Sequence, residues 1–149
     1  MKKYECDLSQ FAVKHKGLSE CVARFFALQV LDTIEALSKI GVFHWDIKPE
    51  NFVIAQDFKV KAIDFGAATK DPTSTKRIGT SNYASPEAMN KKTYCCLKND
   101  LYSFAVTILS LILGSKSSHL TWANLHAIYE NQEFKPFWDL LKLQLSPEF

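Results

Sequence analysis

The sequence predicts a mainly helical fold with one small β-hairpin. Two stretches, 19–40 and 101–113, carry apolar residues at helical spacing, and two short β-type runs, FVIA and KVKAI, flank Gln56, Asp57 and Phe58. A chain of 149 residues buries about 68 to 70% of its unfolded surface. That suffices for one compact domain, or for one lobe of a larger one.

The first helix follows from Val22, Phe25, Phe26, Val30, Ile34, Leu37 and Ile40, with Ser19 as N-cap, Lys39 in the last turn and Gly41 as C-cap. So much of its circumference is apolar that a buried helix is expected. The hairpin comes next. Residues 64–87 are rich in Gly, Thr, Ser and Lys with few apolar anchors, which predicts a long surface loop of the kind that is usually functional or disordered. A second buried helix is expected at 101–113, opened by Asn99 or Asp100 and closed by Gly114. Trp122, Leu125, Ile128 and Tyr129 predict an amphipathic helix at 121–130, and a further helical piece covers 137–145. No repeat, linker or low-complexity tract interrupts this order.

Composition narrows the class. Lys and Arg number 18 against 16 Asp and Glu, so the formal net charge of +2 gives no reason to expect nucleic acid or anionic lipid as a partner. Cys6, Cys21, Cys95 and Cys96 show no CxxC spacing and lie far from the histidines, which points to reduced thiols rather than a zinc site. Residues 1–10 are mostly polar, without the apolar core of a signal peptide, and the apolar run 104–113 is shorter than the roughly 18 residues of a membrane span. A soluble, intracellular and cytoplasmic protein with no membrane contact is the expectation.

Three motifs carry chemistry. FHWDIKPENF, at 43–52, packs His44, Trp45, Asp46, Lys48, Glu50 and Asn51 between apolar runs; DFG follows at 64–66, and GTSNYASPE at 79–87. In this order and spacing they resemble the catalytic loop, the metal-binding triplet and the end of the activation loop of protein kinases. The resemblance implies the C-terminal, large lobe of a serine/threonine kinase domain across 1–149, with an activation segment at about 64–87. Cys6, Asp7 and Leu8 resemble the step just after the hinge between lobes, so the N-terminal β-lobe and the last helices are expected to be lacking. VARFFALQVLDTIEAL and DFGAATK resemble the calcium/calmodulin-dependent branch.

Phosphoryl transfer asks for positioning and charge neutralisation. By resemblance Asp46 accepts the substrate proton and orients the hydroxyl, Lys48 meets the γ-phosphate of ATP, and Asn51 and Asp64 hold Mg2+; with Glu50 these form the cofactor-binding set. Taken singly, most of them read better as ordinary residues, Asp46 as a turn residue, Lys48 as a solvated lysine, Asn51 as a β-entry residue and Asp64 as an Asx turn before Gly66; taken together they favour the site. Thr80 resembles the threonine that touches the catalytic aspartate and lysine in serine/threonine kinases. Asp100 resembles the aspartate that accepts backbone bonds near His44, and doubles as a candidate helix N-cap.

Where kinases carry an arginine that pairs with a loop phosphate, this chain has Trp45. An indole has one N–H and no charge, so a phosphate on Thr75, or on its neighbours Thr73 and Ser74, is expected to leave catalytic-loop geometry unchanged. Glu87 resembles the glutamate that pairs with a buried arginine late in the lobe. Both arginines, Arg24 and Arg77, precede it, so its surroundings are expected to be loose.

Residues 1–149 contain neither a glycine-rich loop nor a strand lysine of the Val-Ala-Ile-Lys type. Loss of one preorganised charge-stabilising donor costs about 10² to 10³ in rate, so transfer by this chain alone is expected to be undetectable. Two function classes stay open: a serine/threonine kinase acting on a protein substrate with ATP and Mg2+, and a non-catalytic pseudokinase module that binds or inhibits a protein partner. Apolar surface on the face that meets a small lobe also suggests complementation by a β-lobe in trans.

Overall fold

The computed structural model describes residues 4–90 and 92–114. The chain divides into two compact units, Met1–Ser117 and Ser118–Phe149, and every described residue belongs to the first. The helices expected at 121–130 and 137–145 lie outside the described residues.

A strand β1 (Tyr4–Asp7) leads directly into α1 (Leu8–Lys14), a helix the apolar period alone does not announce. Its signal is a capping box: Gln10 N–H donates to Asp7 Oδ1 at 2.8 Å, and the Gln10 side chain accepts from the Asp7 N–H at 3.4 Å. After the turn that ends in Gly17, α2 (Glu20–Lys39) begins beyond Ser19, whose side chain makes no capping bond. Its end agrees with the sequence. Gly41, at φ 68°, donates to the Ser38 carbonyl at 2.9 Å, and Val42 donates to that of Leu37 at 2.9 Å. This Schellman closure favours a residue without a Cβ.

The hairpin forms as expected from β2 (Phe52–Ala55) and β3 (Val60–Ala62). It is not isolated. β1 adds antiparallel to β2, giving a three-stranded sheet of order β1-β2-β3, with Asp7 opposite Val53 and Val53 opposite Lys61. Within 64–87, the expected featureless loop carries structure too: Phe43 bridges Thr69, β4 (Thr73–Ser74) pairs antiparallel with β5 (Tyr94–Cys95), and α3 (Pro86–Met89) closes it.

The last described helix, α4, is Cys96–Leu113 rather than 101–113, so Asn99 and Asp100 sit inside it instead of opening it. Cys95 takes the cap position without a side-chain bond. The reach of Asp100 is therefore free for another element. At 18 residues and mean hydropathy 1.4, α4 is long and apolar enough by composition to cross a membrane, contrary to the reading of its apolar run; it is nevertheless 67% buried within the fold, as a core helix is.

Two helices and the sheet share one core. Ala23, Phe26, Val30 and Ile34 of α2 are buried, and α2 packs on α4 and against β3; each fully buried Phe or Val contributes about 1.5 to 3 kcal/mol. The expectation of a wholly buried α2 fails: Phe25 is 50% and Leu28 54% exposed. They form a second apolar stripe on the solvent side, which periodicity cannot tell from the first. All four cysteines among the described residues are free thiols.

Candidate functional site

The loop 43–51 is held from below by α4. Both oxygens of the Asp100 carboxylate accept backbone N–H groups, His44 N at 2.8 Å and Trp45 N at 2.9 Å. Asp100 is 2% exposed, and burial pushes its carboxyl up to about 6 against the two N–H donors, which pull it down. His44 is fully buried; its Nε2 lies 3.2 Å from the Ile63 carbonyl, which requires the neutral Nε2–H tautomer or the cation, while Nδ1 has no partner. Burial lowers the His44 pKa, the Ile63 carbonyl opposing, so the ring is neutral. It lies against Phe52 and Phe65, with centroids 6.3 and 4.9 Å away.

Trp45 adopts φ 66°, a left-handed conformation uncommon outside glycine and asparagine. The site that an arginine would occupy is an apolar cluster: Trp45 packs with Ala84, Ala88, Tyr94 and Cys96, flanked by Phe43, Ala67, Ile78 and Met89. Its indole Nε1 meets no nitrogen or oxygen acceptor, and burial pushes the Cys96 thiol up, a weak hydrogen bond from that indole opposing. Gly79, at φ 87°, crosses beneath: a Cβ there would collide with the Trp45 carbonyl oxygen.

This crossing delivers Thr80 onto Asp46. Asp46 Oδ1 accepts Thr80 N–H at 2.9 Å and Thr80 Oγ1–H at 2.7 Å, while Oδ2 meets Lys48 Nζ at 2.8 Å and Asn51 Nδ2 at 3.0 Å. Lys48 Nζ also donates to Thr80 Oγ1 at 2.8 Å, and Asn51 Nδ2 to the Asp46 carbonyl at 2.7 Å. Burial raises the Asp46 pKa, but the bonds from Lys48, Thr80 and Asn51 outweigh it, and the carboxyl sits below its ordinary value. Asp46, Lys48, Asn51 and Thr80 thus converge from positions two to 34 residues apart.

Asp64 is nearby in the chain of contacts, since Ile63 N–H donates to the Asn51 carbonyl at 2.9 Å. It is exposed, at φ 59°, and its Oδ1 accepts Gly66 N–H at 3.2 Å, the Asx turn expected as its bland role. Asn51 spends its amide nitrogen on Asp46, so its amide oxygen and the second Asp64 oxygen are the atoms left for a hard cation. That donor chemistry fits Mg2+. Glu50 is exposed beside the loop.

Other named residues lie apart. Thr75 is exposed immediately after β4, and Glu87 is exposed with no ion pair among the described residues. Sequence reasoning missed the roles of Gly79, Asn99, Ser103 and Tyr94. The Tyr94 hydroxyl donates to the Lys76 carbonyl at 2.7 Å and helps hold β4; only Gly79, inside the GTSNYASPE motif, carried a readable signal.

A family model described as protein kinase domain matches residues 1–143. Serine/threonine-protein kinase PKH1 of Saccharomyces cerevisiae is 32% identical over 118 residues, 68% of this chain and 15% of that protein. Serine/threonine-protein kinase PKH2 of the same yeast is 32% identical over 155 aligned residues, 94% of this chain and 13% of that protein. Human 3-phosphoinositide-dependent protein kinase 1 is 29% identical over 114 residues, 72% of this chain and 20% of that protein. The chain spans a fifth or less of these relatives. They do not support the calcium/calmodulin-dependent branch suggested by the α2 sequence, and that expectation is withdrawn. By its matched domain and its serine/threonine kinase relatives, the chain belongs to the protein kinase family.

Proposed function

We propose that this chain is the large-lobe part of a serine/threonine protein kinase site, transferring the γ-phosphoryl group of ATP to protein hydroxyls once a segment bearing a glycine-rich loop and a strand lysine covers the nucleotide. One observation carries the reading: Asp46, Lys48, Asn51 and Thr80 converge on one carboxylate.

A carboxylate offers about four acceptor positions, and in Asp46 all four are taken. A substrate hydroxyl therefore gains access to it only if one donor leaves. Lys48 is the donor with another use, because its ammonium is a mobile cation that meets a phosphate as readily as a carboxylate. Thr80 and Asn51 then keep Asp46 aimed at the hydroxyl, and their hydrogen bonds still favour its ionised form. Asn51 and Asp64 would hold Mg2+, which supplies neutralisation of phosphate charge. Thr80 at this position favours serine or threonine hydroxyls over tyrosine. Glu50, exposed at the rim, would lie beside the bound nucleotide or peptide.

The discriminating experiment starts from the longest in-frame transcript. If its product carries a glycine-rich loop and a strand lysine, it should phosphorylate serine or threonine, and Asp46→Asn should cost about 10² to 10⁴ in rate. A rate untouched by that substitution would overturn the assignment. For the 149-residue chain alone, calorimetry should show no micromolar Mg-ATP binding; such binding would overturn the need for a covering segment.

The second reading, a non-catalytic module that binds a protein partner, is favoured by the solvent-side stripe of Phe25 and Leu28 with Phe58, 54% exposed. A transcript without the missing motifs would select it.

A further inference from the structure

Asn99 lies inside α4, 2% exposed, one residue before the aspartate that holds the loop 43–51. Its side chain does not serve its own helix. Asn99 Oδ1 accepts the Ser85 N–H at 2.9 Å, across a buried gap to the far end of the GTSNYASPE segment. One turn along, Ser103 Oγ lies 2.8 Å from the Tyr83 carbonyl and 2.9 Å from the Asn99 carbonyl of its own helix, so its single O–H is shared between the two. Between them the segment folds back on itself: Tyr83 N–H and Ala84 N–H both donate to the Thr80 carbonyl, at 2.9 and 3.2 Å.

These bonds close a ring. From α4, Asp100 runs to His44 and Trp45, whose loop carries Asp46; Asp46 binds Thr80; the Thr80 turn runs to Tyr83 and Ser85; and Asn99 and Ser103 return to α4. Adjacent residues of one helix thus hold the two segments that carry Asp46 and Thr80. A buried hydrogen bond anchors more firmly than an exposed one because the donor left behind has no water to turn to.

We infer that Asn99, with Ser103 in support, is a positioning residue that sets Thr80 against Asp46. The inference rests on the phosphotransfer reading for its purpose, but not for its test, which needs neither ATP nor substrate.

Amide hydrogen exchange on the full chain is the measurement. In Asn99→Ala, the Ser85 and Thr80 amides should exchange about tenfold faster, the scale of one lost buried hydrogen bond, while His44 and Trp45, held by Asp100, stay unchanged. Ser103→Ala, a mild change in a helix, should speed Thr80 in the same direction and serves if Asn99→Ala does not fold. The inference is overturned if Thr80 is unchanged while only Ser85 and Ala88 speed up, which would make Asn99 a mere anchor of α3. It is equally overturned if all four amides accelerate in proportion, the mark of general destabilisation. Failure of either kind leaves the kinase reading standing, and loss of that reading leaves this ring of bonds testable.

Discussion

Replacing Trp45 by arginine would restore the residue type that kinases carry there, and the structure says that the fold would suffer for it. Trp45 is 5% exposed. Its indole removes about 200 Å² from water, worth about 5 kcal/mol at 25 cal/mol/Å², of which an arginine stem recovers about half. The guanidinium then sits among Ala84, Ala88, Tyr94 and Cys96, and both oxygens of the nearest helix carboxylate, Asp100, already serve His44 and Trp45 N–H groups. An unpaired buried charge adds several kcal/mol, while removal of the poorly satisfied indole N–H returns about 1 kcal/mol. The net loss expected for Trp45→Arg is about 3 to 5 kcal/mol, a large share of the 5 to 15 kcal/mol typical of a domain. Urea unfolding followed by far-UV circular dichroism reads it directly. A variant within about 1 kcal/mol of the parent would refute the reasoning, since it would mean that the cluster admits an ion or water.

The remaining predictions follow from the same contacts. A phosphate on Thr75 should leave the Asp46 and Thr80 resonances in place, because Trp45 offers it no cation; a structure or spectrum in which Asp46 moves would contradict this. Asp100 has a folded pKa of about 6, above its unfolded value, so the folded state binds the extra proton and stability falls as pH rises between the two. The difference in unfolding free energy between the parent and Asp100→Asn should therefore shrink by about 2 kcal/mol from pH 4 to 6.5; a flat difference would show the carboxylate ionised throughout. Gly79→Ala must place a Cβ against the Trp45 carbonyl at a φ of 87°, and is expected to lose about 2 to 4 kcal/mol, read as a drop in thermal midpoint with faster exchange at the Thr80 amide.

Much of the site was legible in the chain, because its chemistry is local: His44 to Asn51 spans two turns of backbone, and DFG and GTSNYASPE each present their groups within a few residues. Partners were another matter. Asn99 and Asp100 have the look of helix caps, since Asn and Asp open helices far more often than they reach across a core. Their true targets, Ser85, His44 and Trp45, lie up to 56 residues away, a separation that no spacing rule encodes.

The sequence by itself determined α2, the body of α4, the hairpin, the order of the motifs and the residue types of the site, through periodicity and turn chemistry that act within a few residues. Even the Schellman close of α2 is written in Gly41. Only the tertiary structure decided which apolar stripe of α2 is buried, that Trp45 fills an oily cluster rather than a surface, and that all four acceptor positions of Asp46 are occupied. The physical reason is that burial and hydrogen-bond pairing depend on what another element brings within about 4 Å. That contact is settled when α4 docks against the loop and the GTSNYASPE segment together.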